Sequence, residues 1–224
     1  MTDTKGARTS ARLVESMLEL IQASGYSGTG LNTVVEHARA PKGSLYFHFP
    51  EGKEALGEKA VELAAGRFRD LLAESATGPA TDPGTGTEGP AAVVRRVIDV
   101  LARMVEDSDY QVGCPVSVVT LEMGAESERL RDACANAFDS WITPVADHLA
   151  AHGHPAPVAR TLATAVVSTV EGAMIVSRAQ RSVEPLRCAA HAVTVLLDRR
   201  DTVTAKTPTE QASAEQASAA KASS

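Results

Sequence analysis

The chain has few aromatic residues, few cysteines and no excess of positive charge. Aromatic residues make up 4% of the 224 residues, and there are three cysteines and one tryptophan. Three widely spaced cysteines, an odd number, predict free thiols in a reducing cytoplasm and not a disulfide framework. Lysine and arginine number 22 against 28 acidic residues, so the net charge is −6. We expect this acidic balance to suppress nonspecific sliding on nucleic acid.

Long apolar runs and strand patterns are also missing. No apolar run reaches the roughly 18 residues needed to span a bilayer, and the start, MTDTKGARTSARL, lacks the apolar segment of a signal peptide. The sequence shows no alternating strand pattern, no internal repeat and no glycine loop for phosphate. It also lacks the combination of nucleophile, base and anion site that an enzyme needs. We therefore expect a cytoplasmic, all-α protein that is not an enzyme and needs no cofactor or membrane.

Two very short helices and an aromatic, basic exit occupy residues 25–53. Thr29 is expected to cap the first helix, and Pro41 suits the first turn of the second. The apolar face of the first helix consists of Leu31, Val34, Val35 and Ala38. In the second helix Leu45 is predicted to point inward, with Phe47 and Phe49 packing back onto the first. This layout is typical of a helix-turn-helix segment that reads the DNA major groove.

Longer helices are predicted on both sides of this segment, about nine in all. The first runs from a cap at Thr9 or Ser10 to residue 24, with residues 1–8 as a mobile arm. The others are expected at residues 53–75, 91–108, 115–123, 127–151, 158–182 and 184–200. A loop with four Gly and three Pro is expected at residues 77–90. We expect a DNA-binding domain at 1–52, a ligand-binding and dimerisation domain at 53–200, and a disordered tail at 201–224.

Residues 9–59 resemble the TetR/AcrR family of bacterial transcriptional regulators. The resemblance rests on Gly25-Tyr26, Thr29, the run PKGSLYFHF from Pro41, and Lys53 with Leu56 opening a long helix. The resemblance implies a set of residues that contact DNA, mostly at its phosphates: Thr33, Lys42, Ser44, Tyr46, His48 and Lys53. Gly43 leaves the helix surface bare for close approach. Arg39 stands where the family usually has Gly, so it is either a further phosphate contact or a slight change in the geometry of the corner. One extra residue within Pro50-Glu51-Gly52 precedes Lys53.

The same resemblance implies how the protein is assembled. Family members pair through their last two long helices, and here the helices at 158–182 and 184–200 are rich in alanine, which allows close packing. A two-fold homodimer would present two heads to a palindromic operator. The habit of the family favours a repressor that a small molecule releases from DNA.

A second resemblance concerns the ligand-binding and dimerisation domain at 53–200, here called the body. Gly113-Cys114-Pro115, Glu122 and Glu171-Gly172-Ala173 look like the LmrA/YxaF-type branch, which implies a repressor responsive to drugs or flavonoids. The candidate lining residues are Leu101, Val105, Val116, Val119, Met123, Phe138, Trp141, Ile142, Val170, Glu171 and Met174. We expect a hydrophobic or aromatic effector, with a preference for a cationic one in this acidic body. Glu171 should pair with Arg178 or cap a polar group of the pocket, because a bare buried carboxylate is costly.

Several alternatives remain open from the sequence. Two short helices at a corner also occur in folds that never touch DNA, so a helical small-molecule-binding module is one alternative. Each apolar lining candidate, taken singly, is better explained as core. Cys114, at a helix start that lowers the thiol pKa, would suit a redox sensor. His148 and His152, with Asp147 and His154 nearby, would suit a metal-responsive regulator.

Overall fold

The computed structural model describes residues 5–76 and 89–198, and every regular element within them is an α-helix. The helices are α1 (Lys5–Ser24), α2 (Leu31–His37), α3 (Lys42–His48), α4 (Lys53–Ala76), α5 (Pro90–Asp107), α6 (Pro115–Met123), α7 (Glu128–Ala151), α8 (Ala156–Gln180) and α9 (Glu184–Asp198). The all-α prediction is confirmed. Each predicted helix has one counterpart in the described ranges, with ends that differ by a few residues.

The first helix begins earlier than predicted. It is already helical at residue 5, and Thr9, which was expected as its cap, is a buried residue inside it. The expected arm is therefore helical from residue 5 onward, while residues 1–4 lie outside the described ranges. Leu13, Met17 and Ile21 recur at four-residue spacing and are almost completely buried, which places one face of α1 in the core.

Thr29 does not cap α2 as predicted. Its Oγ1 donates to the carbonyl oxygen of Gly25 at 2.6 Å, and the side chain is buried in the α1–α2 turn. Gly30 occupies the N-cap position and provides no side-chain hydrogen bond. Helix α2, only seven residues long, therefore depends on the burial of Val34 and Val35, because so short a helix is unstable alone.

The three-helix head, α1 to α3, shares one hydrophobic core with part of the body. This cluster runs from α1, α2 and α3 through α4 into α6 and α7, and it includes Leu45 of α3 and Trp141 of α7. Helix α1 also packs directly on α6. Gly57 permits the close approach of α4 to the head, because a Cβ there would lie 2.6 Å from Cε2 of Tyr26. The head and the body are therefore in direct contact through these helices.

A second hydrophobic core holds the rest of the body together. Helices α5, α8 and α9 build it with the C-terminal half of α7. Ile98, Leu149 and Leu186 are among its almost fully buried residues. Ser127 begins α7 as its N-cap, accepting a hydrogen bond from the N–H of Leu130.

Helix α8 is long and apolar enough, by length and composition alone, to cross a bilayer, which the sequence reading did not anticipate. One face of it belongs to the second core, where Ala163 and Val170 are buried. Ile175 and Val176 nevertheless remain exposed, as do Val195 and Leu196 of α9. The last two helices thus carry apolar surface beyond what the core of one chain uses.

Two predicted segments fall outside the described residues. The Gly- and Pro-rich loop does so except for Gly89 and Pro90, and Pro90 begins α5. The predicted tail at 201–224 lies wholly outside. The division of the chain at residue 52 stays a prediction, although α4 begins at Lys53.

The turn between α2 and α3 contains a testable strain. Arg39 has φ of 48°, in the left-handed region that favours glycine. We expect Arg39→Gly to raise the free energy of unfolding by about 0.5–1 kcal/mol, because the relief of strain exceeds the entropy that glycine adds to the unfolded chain. Arg39→Ala is the matched control, since it removes the charge but keeps the Cβ. Urea unfolding of the three proteins tests this, and equal gains for Gly and Ala would contradict it.

Candidate nucleic-acid interface and effector cavities

The eight candidate DNA-binding residues lie on and around α3. Thr33, Arg39, Lys42, Gly43 and Tyr46 are exposed, while Ser44, His48 and Lys53 are half-buried. Leu45 is 1% exposed and anchors α3 to the core, so the opposite side of this helix faces outward. The helix therefore presents a lysine, a bare backbone position and a tyrosine on one open surface.

Phe47 does not pack onto α2 as predicted. It is 80% exposed, whereas Phe49 is buried. Leu45 and Phe49 are four residues apart and share the inner face, so the residue midway between them points away from it. That spacing was the sequence signal for an outward Phe47. An exposed phenylalanine beside Tyr46 gives α3 an apolar element on its open side.

Lys53 lies at the base of the head and not on the open side of α3. Its Nζ lies 4.3 Å from the centroid of the Tyr26 ring and 3.5 Å from the carbonyl oxygen of Ser27. Partial burial lowers the pKa of Lys53, and the charge of Glu122 opposes this. Burial, followed by the charge of Glu54, raises the pKa of Tyr26 to about 12, so the phenol stays neutral. A phosphate role for Lys53 remains a prediction that requires its side chain to leave these partners.

Glu122, near the end of α6, contacts the α1–α2 turn directly. Its Oε2 accepts from the backbone N–H of Ser27 at 2.7 Å. The side chain also covers Gly25, since a Cβ there would lie 2.3 Å from Oε1 of Glu122. Gly25 has φ of 79°, so glycine meets both the conformational and the spatial demand. We call this the Glu122 contact. It joins the body to the head by a hydrogen bond to a charged acceptor.

A second polar contact joins α7 to the start of α4. Arg129 donates to Glu51 at 2.5 Å and to Glu58 at 2.7 Å. The hydroxyl of Ser127 donates to Glu54 at 3.0 Å. These groups are partly exposed, so each pair contributes modestly to stability. Together they fix the position of the first turn of α4 relative to the body.

Two cavities occupy the described part of the body. Cavity A, of about 240 Å³, lies among α4, α5, α7, α8 and the end of α9. Cavity B, of about 380 Å³, lies among α1, α4, α5, α7, α8 and residues 112–115. Phe68, Trp141 and Glu171 line both cavities. Leu18 and Gln22 bring α1, a helix of the head, into the wall of cavity B.

The structure divides the lining candidates into two groups. Those on cavity walls are Leu101, Val105, Trp141, Val170, Glu171 and Met174. The other five are away from both cavities: Val116 and Val119 are fully buried in the first core, Met123 and Phe138 pack against it, and Ile142 packs against the second. The sequence reading missed Phe68 and Leu72 of α4, although both lie on the apolar stripe of that helix.

Glu171 does not pair with Arg178 as one alternative expected. The Ser117 hydroxyl donates to its Oε2 at 2.5 Å, and the Cys114 thiol also hydrogen-bonds to it. Arg178 instead donates to the carbonyl oxygen of Gln111 at 3.0 Å. Burial raises the pKa of Glu171, and the two hydrogen bonds only partly oppose this. A carboxyl group with an elevated pKa on the wall of a cavity is typical of a binding site.

Cys114 is the N-cap of α6, but its thiol is not activated. Burial raises the pKa of this thiol, and the charge of Glu171 raises it further, which together outweigh the hydrogen bonds from the start of α6. The expectation of a lowered thiol pKa was wrong, because the helix dipole is weaker than desolvation here. Since the thiolate is the reactive species, this environment does not support a redox role.

Two histidines at the end of α7 lie close together, but they do not form a larger cluster with other metal-binding side chains in the described residues. The rings of His148 and His152 lie 4.4 Å apart. Within residues 5–76 and 89–198, no group of three or more His, Cys, Asp or Glu side chains could hold a metal ion. His148 lines cavity A, and its Nε2 is buried without a hydrogen-bond partner. Burial, followed by the neighbouring His152, lowers the pKa of His148, which favours a neutral ring able to bond a ligand.

Family models match both parts of the chain. The model of "Bacterial regulatory proteins, tetR family" covers residues 13–60. The model of "Transcriptional regulator LmrA/YxaF-like, C-terminal domain" covers residues 90–192. The first range contains α2 and α3, and the second contains most of the cavity walls.

Curated relatives and solved structures agree with these matches. The HTH-type transcriptional regulator LmrA of Bacillus subtilis is 30% identical over 188 residues, which cover 84% of this chain and 96% of LmrA. The HTH-type transcriptional repressor DhaR of Mycobacterium sp. is 28% identical, covering 80% of this chain and 88% of DhaR. The crystal structure of a TetR transcriptional regulator from Chloroflexus aurantiacus superposes with a TM-score of 0.71 at 26% identity, covering 87% of this chain and 96% of that one.

The environment of Glu171 predicts a pH-dependent effect on stability. Because its pKa is raised in the folded state, wild-type stability falls as the pH rises through that pKa. We expect Glu171→Gln to unfold at higher urea concentration than wild type at pH about 8, with a gap that narrows as the pH falls toward about 5. Glu106→Gln removes the same charge from exposed surface of α5 and corrects for net charge. A gap that stays constant with pH, or widens toward acid, would contradict the assignment.

Proposed function

Because the chain belongs to the TetR family of bacterial transcriptional regulators, in its LmrA/YxaF-like branch, we propose that it is a cytoplasmic homodimeric repressor that a small molecule releases from a palindromic operator. The helix-turn-helix head is the DNA-binding domain of this family. The observation that carries the proposal is the open surface of α3 in a head that shares its core with a body containing cavities.

The charges and shape of α3 support insertion into the major groove. Lys42 at its first turn and Arg39 in the preceding turn are exposed, which suits two phosphates at the groove edge. Gly43 has no atom within 4 Å of the position of a Cβ, so the backbone there can approach DNA closely. Tyr46, 64% exposed, has a free path to a phosphate. Ser44 and His48, half-buried on the same helix, are further phosphate donors, and Thr33 is one from α2.

Phe47 adds a contact that the phosphate-binding residues cannot provide. An apolar ring exposed on a recognition helix is costly in water but fits the C5-methyl group of thymine. We therefore assign Phe47 to base recognition and its neighbours to positioning.

The exposed apolar residues of α8 and α9 support the homodimer. Ile175, Val176, Val195 and Leu196 are between 40% and 51% exposed. Two such helices from each subunit form a four-helix interface that would bury them. Pairing matters for affinity, because one head carries as many acidic as basic residues and binds DNA weakly by charge alone.

Helix α6 supports a route from the cavity to the head. At its start, Cys114 and Ser117 bond to Glu171 on the cavity wall. At its end, Glu122 bonds to Ser27 of the head. A helix of nine residues is about 13 Å long and moves as a rigid unit. An effector that displaces the start of α6 therefore displaces the α1–α2 turn, and α4, which lines both cavities through Phe68, shifts with it.

Removing one phosphate contact per head tests DNA binding. Against an operator selected by the wild-type protein from a random duplex library, we expect Lys42→Ala to weaken binding by at least about tenfold. The plot of log K against log salt should become shallower by about 2 per dimer, because two lysines are lost. Arg103→Ala, which removes an exposed charge from α5, is the control and should change neither value. No selectable operator, or equal effects of both variants, would refute the proposal.

The Glu122 contact gives a test of coupling. A saturating inducer, found by its stabilisation of the protein, should lower operator affinity by about 5–150-fold, the usual range for allosteric coupling. We expect Glu122→Ala to reduce this fold-change at least about threefold, because the end of α6 then no longer holds Ser27. Glu126→Ala, an exposed glutamate just beyond α6, should keep the wild-type fold-change. Equal coupling in both variants would exclude the route through α6.

A further inference from the structure

Glu171 is a half-buried carboxylate that pairs with no cation among the described residues. Its bonding partners in the described residues, the Ser117 hydroxyl and the Cys114 thiol, are both neutral. Neutral donors only partly replace the hydration that a carboxylate loses on burial. A carboxylate that loses part of its hydration with no cation beside it is unfavourable. Glu171 therefore has an unmet demand for positive charge at the place where it lines both cavities.

The cationic side chains around the cavities serve other partners. Arg67 lines cavity B, but its Nη2 lies 2.6 Å from Oε2 of Glu15. Arg69 lines cavity A and donates to the Ser140 hydroxyl at 3.3 Å. Arg178, two turns from Glu171 on α8, is held by backbone carbonyl oxygens of residues 110 and 111. None of these three arginines pairs with Glu171, so a ligand can supply the positive charge there.

Two aromatic rings line the same two cavities as this carboxylate. Phe68 and Trp141 line both cavities with Glu171, and their centroids are 4.7 Å apart. The Trp141 side chain is 2% exposed, and its indole N–H already donates to the carbonyl oxygen of Ala65 at 3.1 Å. Aromatic faces attract cations, most strongly when water is excluded. The remaining walls are mainly aliphatic, which suits an apolar ligand body.

We infer that the effector is a lipophilic cation, with an ammonium-type group at Glu171 beside Phe68 and Trp141 and an apolar body in the cavities. This inference rests on the proposed release of operator DNA by a small molecule, and it names the chemical class of that molecule. Ligand binding would offset the cost of the partly desolvated carboxylate. An anionic ligand is disfavoured by the same charge. Burial raises the pKa of Glu171, and a cation beside the carboxylate would lower it again.

A matched pair of probes separates charge from shape. The para-butylbenzyl trimethylammonium ion carries a permanent positive charge, and para-butyl-neopentylbenzene is its neutral isostere. Binding is followed by the emission of Trp141, the only tryptophan of the chain. We expect wild type to bind the ammonium at least about tenfold more tightly than the isostere. In Glu171→Gln this preference should fall to about twofold or less, while binding of the isostere shows that the variant is folded.

The control and a second measurement decide the outcome. Glu106→Gln, with the same loss of charge on the surface, should keep the wild-type preference. Equal or tighter binding of the neutral isostere by wild type, or a preference that survives in Glu171→Gln, overturns the inference. Operator affinity is then measured with each probe. Glu171-dependent binding of the ammonium without operator release supports the ligand class and refutes the release mechanism. If the isostere releases the operator and wild type shows no preference for the charged probe, the release mechanism is supported and the ligand class is refuted.

Discussion

The packing of α1 and α4 against α6 and α7 is the constraint on which the rest of the structure depends. One hydrophobic core extends from Leu45 of α3 to Trp141 of α7, so the DNA-binding head is not a separate unit on a tether. Gly57 allows this packing because a side chain there would collide with Tyr26. Since packed cores deform in discrete steps and not continuously, the proposed effector would act on the head by displacing whole helices.

Polar groups at the two ends of α6 connect the cavity walls to the α1–α2 turn. At one end the side chains of Cys114 and Ser117 bond to Glu171, and at the other Glu122 bonds to the turn before α2. The apolar core supplies most of the stability, and these few hydrogen bonds select one relative position of head and body. Glu171, the carboxylate at the end of this series of contacts, lines both cavities.

Helix positions were predictable because the signals for them are local. Four-residue spacing of apolar residues located α1, α5 and α7, and Pro115 located the start of α6. The errors arose where a residue had two plausible partners. Thr29 has the chemistry of a cap, yet its hydroxyl finds the carbonyl oxygen of Gly25 inside a turn. Phe47 looks like core, yet the shape of α3 leaves no inner position for it. Cys114 sits at a helix start as expected, but neighbouring helices bury it.

The sequence by itself determined the all-α class, the helix-turn-helix segment and the family, because these follow from periodicity and from residues close together in the chain. It did not determine which apolar residues line cavities and which fill the core, because burial of Val116 and access to Leu101 depend on helices far apart in sequence. The partners of Glu171, Glu122 and Lys53 were likewise decided only by tertiary structure. Each of these charged groups takes its partner from a different helix or turn, and its role follows from that neighbour.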